Sequence, residues 1–96
     1  MSKKSVKLEG ATLPFYSYKE DGLTFYEYDA RECQPPEPMV NTIKGLSFLK
    51  TPRDRLVGFF FHEPFPLYQR IPLSISHEAK ELEDGDFKIT FKLETS

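Results

Sequence analysis

The chain holds a single cysteine, Cys33, so no internal disulfide can form. One thiol in a chain of this size suits a reducing compartment. There is no cysteine pair, no glycine-rich phosphate loop, no metal-protease helix and no serine nucleophile elbow, which removes the familiar signatures of redox, nucleotide, zinc-peptidase and serine-hydrolase chemistry. No apolar run approaches the roughly 20 residues that a membrane helix needs, and the N-terminus lacks the apolar core of a signal peptide. The expectation is a cytoplasmic protein with no membrane contact. Positive charge is not in surplus either: 13 Lys and Arg stand against 15 Asp and Glu, a formal net charge of −2. That balance offers nucleic acid and anionic membranes no attraction. Internal repeats, low-complexity segments and linkers are absent.

What is present is enough for one modest core. The 96 residues are 39% hydrophobic and 15% aromatic, the composition of a folded domain. Residues 1–11 are polar, with Lys3, Lys4 and Lys7, and read as a flexible tail ahead of a single domain over 12–96. The organising stretch runs from Asp29 to Pro52. It contains Pro35, Pro36 and Pro38, then Met39, Val40, Ile43, Leu46 and Leu49 at helical spacing, then Pro52. Prolines are tolerated in a first helical turn, where N–H groups have no intrahelical partner, and Glu37 there complements the helix dipole. The spacing predicts a helix whose buried face is Met39, Val40, Ile43, Leu46 and Leu49.

Leu13 to Lys19 and Leu23 to Asp29 read as a hairpin around a three-residue loop, Glu20-Asp21-Gly22. That register sets Tyr16 opposite Tyr26 and Tyr18 opposite Thr24, with the tyrosines on one face and Phe15, Leu23 and Phe25 on the other. Arg55 to Phe61 is a continuously apolar strand, expected to be covered on both faces. Pro66 to Ile71 reads as a short helix. Ile75 to Glu83 has helical letters, but Asp84-Gly85-Asp86 and the alternating strand Phe87 to Glu94 argue for a second hairpin. The fold class is therefore α+β: a two-layer α/β sandwich with a mixed four-stranded sheet in the order βαβαββ, two helices on one face, and an extra N-terminal strand completing a hairpin.

Two segments carry a resemblance. Asp29-Ala30-Arg31 followed by Pro36-Glu37-Pro38 looks like the signature of the small sulfur carriers of the TusA/SirA-like family, in which a strand ending D-A-R-G precedes C-P-x-P at a helix start. His62-Glu63-Pro64 follows a later strand where that family often has an acidic residue and proline. The match spans roughly Leu23 to Leu93 in element order, with few identities. The family's persulfide-bearing cysteine falls at Pro35, and Glu32 replaces its glycine. The chain thus resembles a branch with P-P-E-P, for which the resemblance implies a fold and no activity.

The strands ending near Asp29 and Phe61 are joined through one helix and are expected to be parallel. Their carboxyl ends then share one sheet edge, where open α/β sheets take ligands. This assembles a candidate ligand site from Arg31, Cys33, Glu37, His62 and Glu63. Each has a plainer reading. Cys33 near a helix start can become a reactive thiolate, yet it lies two residues before the resembled position, about 6–7 Å away in extended chain, and a free cysteine is commonly a small buried hydrophobe. His62 can act as a base or metal ligand, or be a structural or surface histidine; with His77 placed toward the opposite edge, no ligand spacing emerges and no metal or other cofactor is expected. Arg31 can hold an anion or pair with Glu32, Glu37 or Glu63. Arg53, Asp54 and Arg55 read as a solvated loop.

Three functions follow as expectations. The first is a non-catalytic module binding an unknown small ligand or protein partner on a carrier-like scaffold. The second is a sulfur or redox carrier using Cys33. The third is a structural homodimer built on the aromatic hairpin, whose acidic residues Glu20, Asp21, Glu27 and Asp29 argue against base-stacking nucleic-acid binding.

Overall fold

The computed structural model describes residues 3–94. In chain order the elements are β1 (Lys4–Val6), β2 (Phe15–Glu20), β3 (Leu23–Asp29), α1 (Glu37–Gly45) with a 3-10 turn at Leu46–Phe48, β4 (Asp54–Phe60), α2 (Phe65–Tyr68), β5 (Ile75–Glu81) and β6 (Phe87–Leu93). The strands form one mixed sheet in the order β1-β2-β3-β4-β6-β5. Only β3 and β4 pair in parallel, across the α1 connection; every other neighbouring pair is antiparallel. The class is α+β, as the sequence implies, but the sheet has six strands rather than four plus one. The sixth comes from the segment read as a flexible tail: Lys4–Val6 pairs with Ser17–Phe15 of β2. Val6, Leu8 and Ala11 pack against the core, which gives that segment an apolar anchor.

The first hairpin turns on two residues, not three. Glu20 pairs with Leu23, leaving Asp21 (φ 54°) and Gly22 (φ 79°) as the loop. Two consecutive positive φ values are what a type I′ turn needs, and Asp-Gly supplies them cheaply. The change of one residue flips faces, because strand side chains alternate. Tyr18 now lies opposite Phe25 and Tyr16 opposite Glu27. Tyr26 and Tyr28 therefore join Phe15 on the inner face, while Tyr16, Tyr18 and Phe25 lie on the outer one. Phe15 stacks on Tyr28 with centroids 4.8 Å apart, and Tyr26 stacks on Phe48 at 4.3 Å. On the outer face Tyr18 stacks on Phe25 at 5.0 Å.

The core lies between the inner face and the two helices. It joins Phe15, Tyr28, Leu56, Phe60, Ile89 and Phe91 of the sheet to Leu49 and Leu67, with Met39, Leu46 and Tyr68 packed against it. Leu56, Gly58 and Phe60 of β4 pair with Phe91, Ile89 and Phe87 of β6, so the alternation read in β6 holds and its apolar side faces inward. A β-carbon at Gly58 would fall 2.6 Å from the Tyr28 ring. Glycine in this central strand makes room for a buried phenol.

Helix α1 is rotated from the face its apolar residues predict. Asn41, Thr42 and Gly45 are the buried positions, and Val40 and Ile43 remain 40% and 38% exposed. Hydrogen bonding accounts for the rotation. The Asn41 side-chain oxygen accepts the N–H groups of Thr12 and Leu13, and its amide donates to Thr12 Oγ1 and the Glu37 carbonyl. The Thr42 hydroxyl bonds the Pro38 carbonyl and the Tyr28 phenol. Gly45 lets Phe15 and Leu56 press against the helix backbone.

Candidate functional site

Two proline-stiffened connections leave the sheet at the carboxyl ends of β3 and β4. The first begins at Ala30, whose N–H donates to the Phe59 carbonyl at 2.8 Å and carries the parallel pairing past the end of β3. The Cys33 N–H returns to the Ala30 carbonyl at 3.3 Å, and the Glu37 N–H donates to the Gln34 carbonyl at 3.0 Å. The Pro35–Pro36 peptide is cis, and α1 starts with no side-chain cap. The second connection, Phe61-His62-Glu63-Pro64, leads straight into α2. There the Phe65 and Leu67 N–H groups donate to the Glu63 and Pro64 carbonyls at 2.9 and 3.0 Å.

Between these connections lies an open cleft of about 440 Å³. That is a size common among small-molecule sites. The proline turn and Met39 form one wall, and Phe61, Pro64, Pro66 and Leu67 the other, with Ala30 and Phe60 also lining it. Four of the five residues put forward from sequence, Arg31, Cys33, His62 and Glu63, line this cleft; Glu37 does not. Glu37 instead accepts a short hydrogen bond from the Thr12 hydroxyl and, in the first turn of α1, helps hold the 11–13 segment against the helix.

Arg31 turns its charge away to the outer face. Its Nε and Nη2 donate to the two Asp29 carboxylate oxygens at 3.0 and 2.7 Å, its Nη1 reaches Asp86 at 3.4 Å, and the guanidinium lies over Phe59. The Arg31 hydrogen bond holds the Asp29 carboxyl below its ordinary value. The acidic partners are thus Asp29 and Asp86, not Glu32, Glu37 or Glu63, and the guanidinium is committed to them rather than to the cleft.

Cys33 is half-buried. Burial, followed by the Glu37 carboxylate and then by Asp29 and Glu32, pushes its thiol above the ordinary value. A thiol so placed stays protonated at neutral pH and is a poor nucleophile. His62 is exposed and lies edge-on to Phe61 with centroids 4.4 Å apart. Glu63 accepts a hydrogen bond from the Tyr68 hydroxyl at 3.1 Å. Tyr68 in turn stacks on His77 at 3.8 Å, so His77 does not line the cleft but packs behind one of its walls. Burial, reinforced by Glu63, raises the Tyr68 phenol well above its ordinary value. Asp54, at the far edge, accepts the Lys50 and Thr51 N–H groups at 2.9 Å and closes a local turn.

Sequence reasoning did not single out the apolar walls. Met39 belonged to the expected buried helix face, and Phe61, Pro66 and Leu67 to neighbouring elements. The signal was the pairing of proline clusters, Pro35-Pro36-Pro38 with Pro64-Pro66, on connections leaving one sheet edge. Among the described residues no group of three His, Cys, Asp or Glu side chains is gathered as a metal site. No helix among them is long and apolar enough to cross a membrane. Comparison with protein-family models, with curated proteins and with solved structures finds no match. The sulfur-carrier resemblance therefore rests on the turn residues and on element order.

Proposed function

We propose that the chain is a non-catalytic binding module on a sulfur-carrier-like, two-layer scaffold, with the cleft between the 31–38 turn and the 61–66 loop as its ligand site. One observation carries this reading: the cleft has apolar walls and a few polar groups, while Pro35 stands where the resembled carriers hold their nucleophile. The order β3-α1-β4-α2-β5-β6 supports the scaffold assignment, with β1 and β2 as additions. The raised Cys33 thiol argues against that residue as a replacement nucleophile.

The test is incubation with a persulfide donor followed by intact-mass measurement. The protein's mass should not change. Stable gain of one sulfur, lost in a Cys33→Ser variant, would instead make the chain a sulfur carrier.

A further inference from the structure

The polar side chains on the cleft are Arg31, Cys33, His62 and Glu63. Five of the residues that line it are prolines, Pro35, Pro36, Pro38, Pro64 and Pro66, and none of these has a backbone N–H. At the start of α1, where an anion would ordinarily find donors, Pro38 has none and the Glu37 N–H is already given to Gln34. The one arginine on the cleft directs its Nε, Nη1 and Nη2 to Asp29 and Asp86. Glu63 lines the cleft with a carboxylate that the Tyr68 hydroxyl reaches through one oxygen. Burial first, and then the Glu37, Asp29 and Glu32 carboxylates, raise the Cys33 thiol, so those carboxylates set a negative field beside this lining residue. Phe61, 60% exposed, offers an aromatic face at the rim.

We infer that the ligand of this cleft is a small organic cation: an apolar body seated between Met39, Phe60 and Leu67, with an ammonium or similar head directed to Glu63 and the Phe61 ring. A cation satisfies the Glu63 carboxylate, which has no ion-pair partner among the described residues, and an aromatic face attracts it further. A carboxylate or phosphate head would meet the Glu63 carboxylate, with the exposed His62 ring as the lining side chain that offers it an N–H. This inference deepens the binding-module reading and rests on it.

Three probes that share a phenethyl body and differ in the head group separate the two claims. Phenethylammonium, phenethyl alcohol and 3-phenylpropanoate are titrated against methyl-labelled protein, and shifts of the Met39 and Leu67 methyl resonances are followed. Phenethylammonium should bind about tenfold more tightly than the alcohol, and the carboxylate most weakly. Glu63→Gln, which keeps an acceptor for Tyr68, should remove most of the ammonium's advantage over the alcohol. Equal binding of ammonium and alcohol, or a preference for the carboxylate, overturns the cation inference while leaving a ligand cleft. If none of the three shifts either methyl, the cation inference fails together with the cleft reading beneath it.

Discussion

The Asn41 side-chain oxygen accepts two backbone N–H groups, from Thr12 at 2.9 Å and Leu13 at 3.1 Å, and so ties the strand-leading segment to the middle of α1. The residue is fully buried. This tie, together with Thr42 and Gly45, sets the rotation of α1 and thereby aims Met39 at the cleft. Replacing Asn41 by Ala leaves both donors without their acceptor and should cost about 1–3 kcal/mol in denaturant unfolding. Replacement with less than about 0.5 kcal/mol lost would mean that water substitutes freely and that the tie does not set the helix.

Gly58 and Tyr28 make a second lock. The absent β-carbon at position 58 is the space the Tyr28 ring occupies. Gly58→Ala should destabilise by about 1–3 kcal/mol through overpacking, although alanine is the better strand residue by backbone entropy. Combining it with Tyr28→Leu should recover part of that loss. Strict additivity of the two changes, measured in a double-mutant cycle, would show that the ring and the glycine do not share the space.

Tyr28 also gives the fold an alkaline limit. Burial raises its phenol far above the ordinary value of 10, with the Thr42 hydrogen bond opposing only in part. The raised folded value means that the unfolded chain gives up this proton first as pH climbs. Stability from this group is complete below about pH 10 and falls above it by up to about 1.4 kcal/mol per pH unit. Chemical denaturation between pH 8 and 11 should show the decline, and Tyr28→Phe should make it shallower. An unchanged slope in the variant would assign the decline to other groups.

Cys33 should alkylate slowly. With burial and Glu37 both raising its thiol, the half-maximal rate belongs above the ordinary cysteine value of ~8.5. Glu37→Gln should bring that midpoint down. A wild-type midpoint near 7 would restore the carrier reading for this residue.

Much of the fold follows from local letters. Asp84-Gly85-Asp86 announced the second hairpin, and the proline-led helix between two strands announced the parallel pair. What escaped local reading depends on partners far away in sequence. The faces of β2 hang on whether Glu20 belongs to the strand or the loop, a choice of one residue. The face of α1 was assigned by counting apolar side chains, whereas Asn41 is buried because Thr12 and Leu13 meet it from 29 and 28 positions away. The direction of Arg31 is set in part by Asp86, 55 residues on. The site was legible as a location, since four of its five proposed residues line one cleft. Its charge preference was not, because that depends on which of its charged groups are already paired.

The central claim is that the proline turn and the 61–66 loop form one binding cleft. Its most direct test is a small apolar fragment library screened by methyl NMR on the wild-type protein. Fragments that bind should shift Met39 and Leu67 together and leave Leu8 and Leu82, outside the cleft, unmoved. Hits that move Leu8 or Leu82 while Met39 and Leu67 stay fixed would place the binding surface elsewhere and contradict the account.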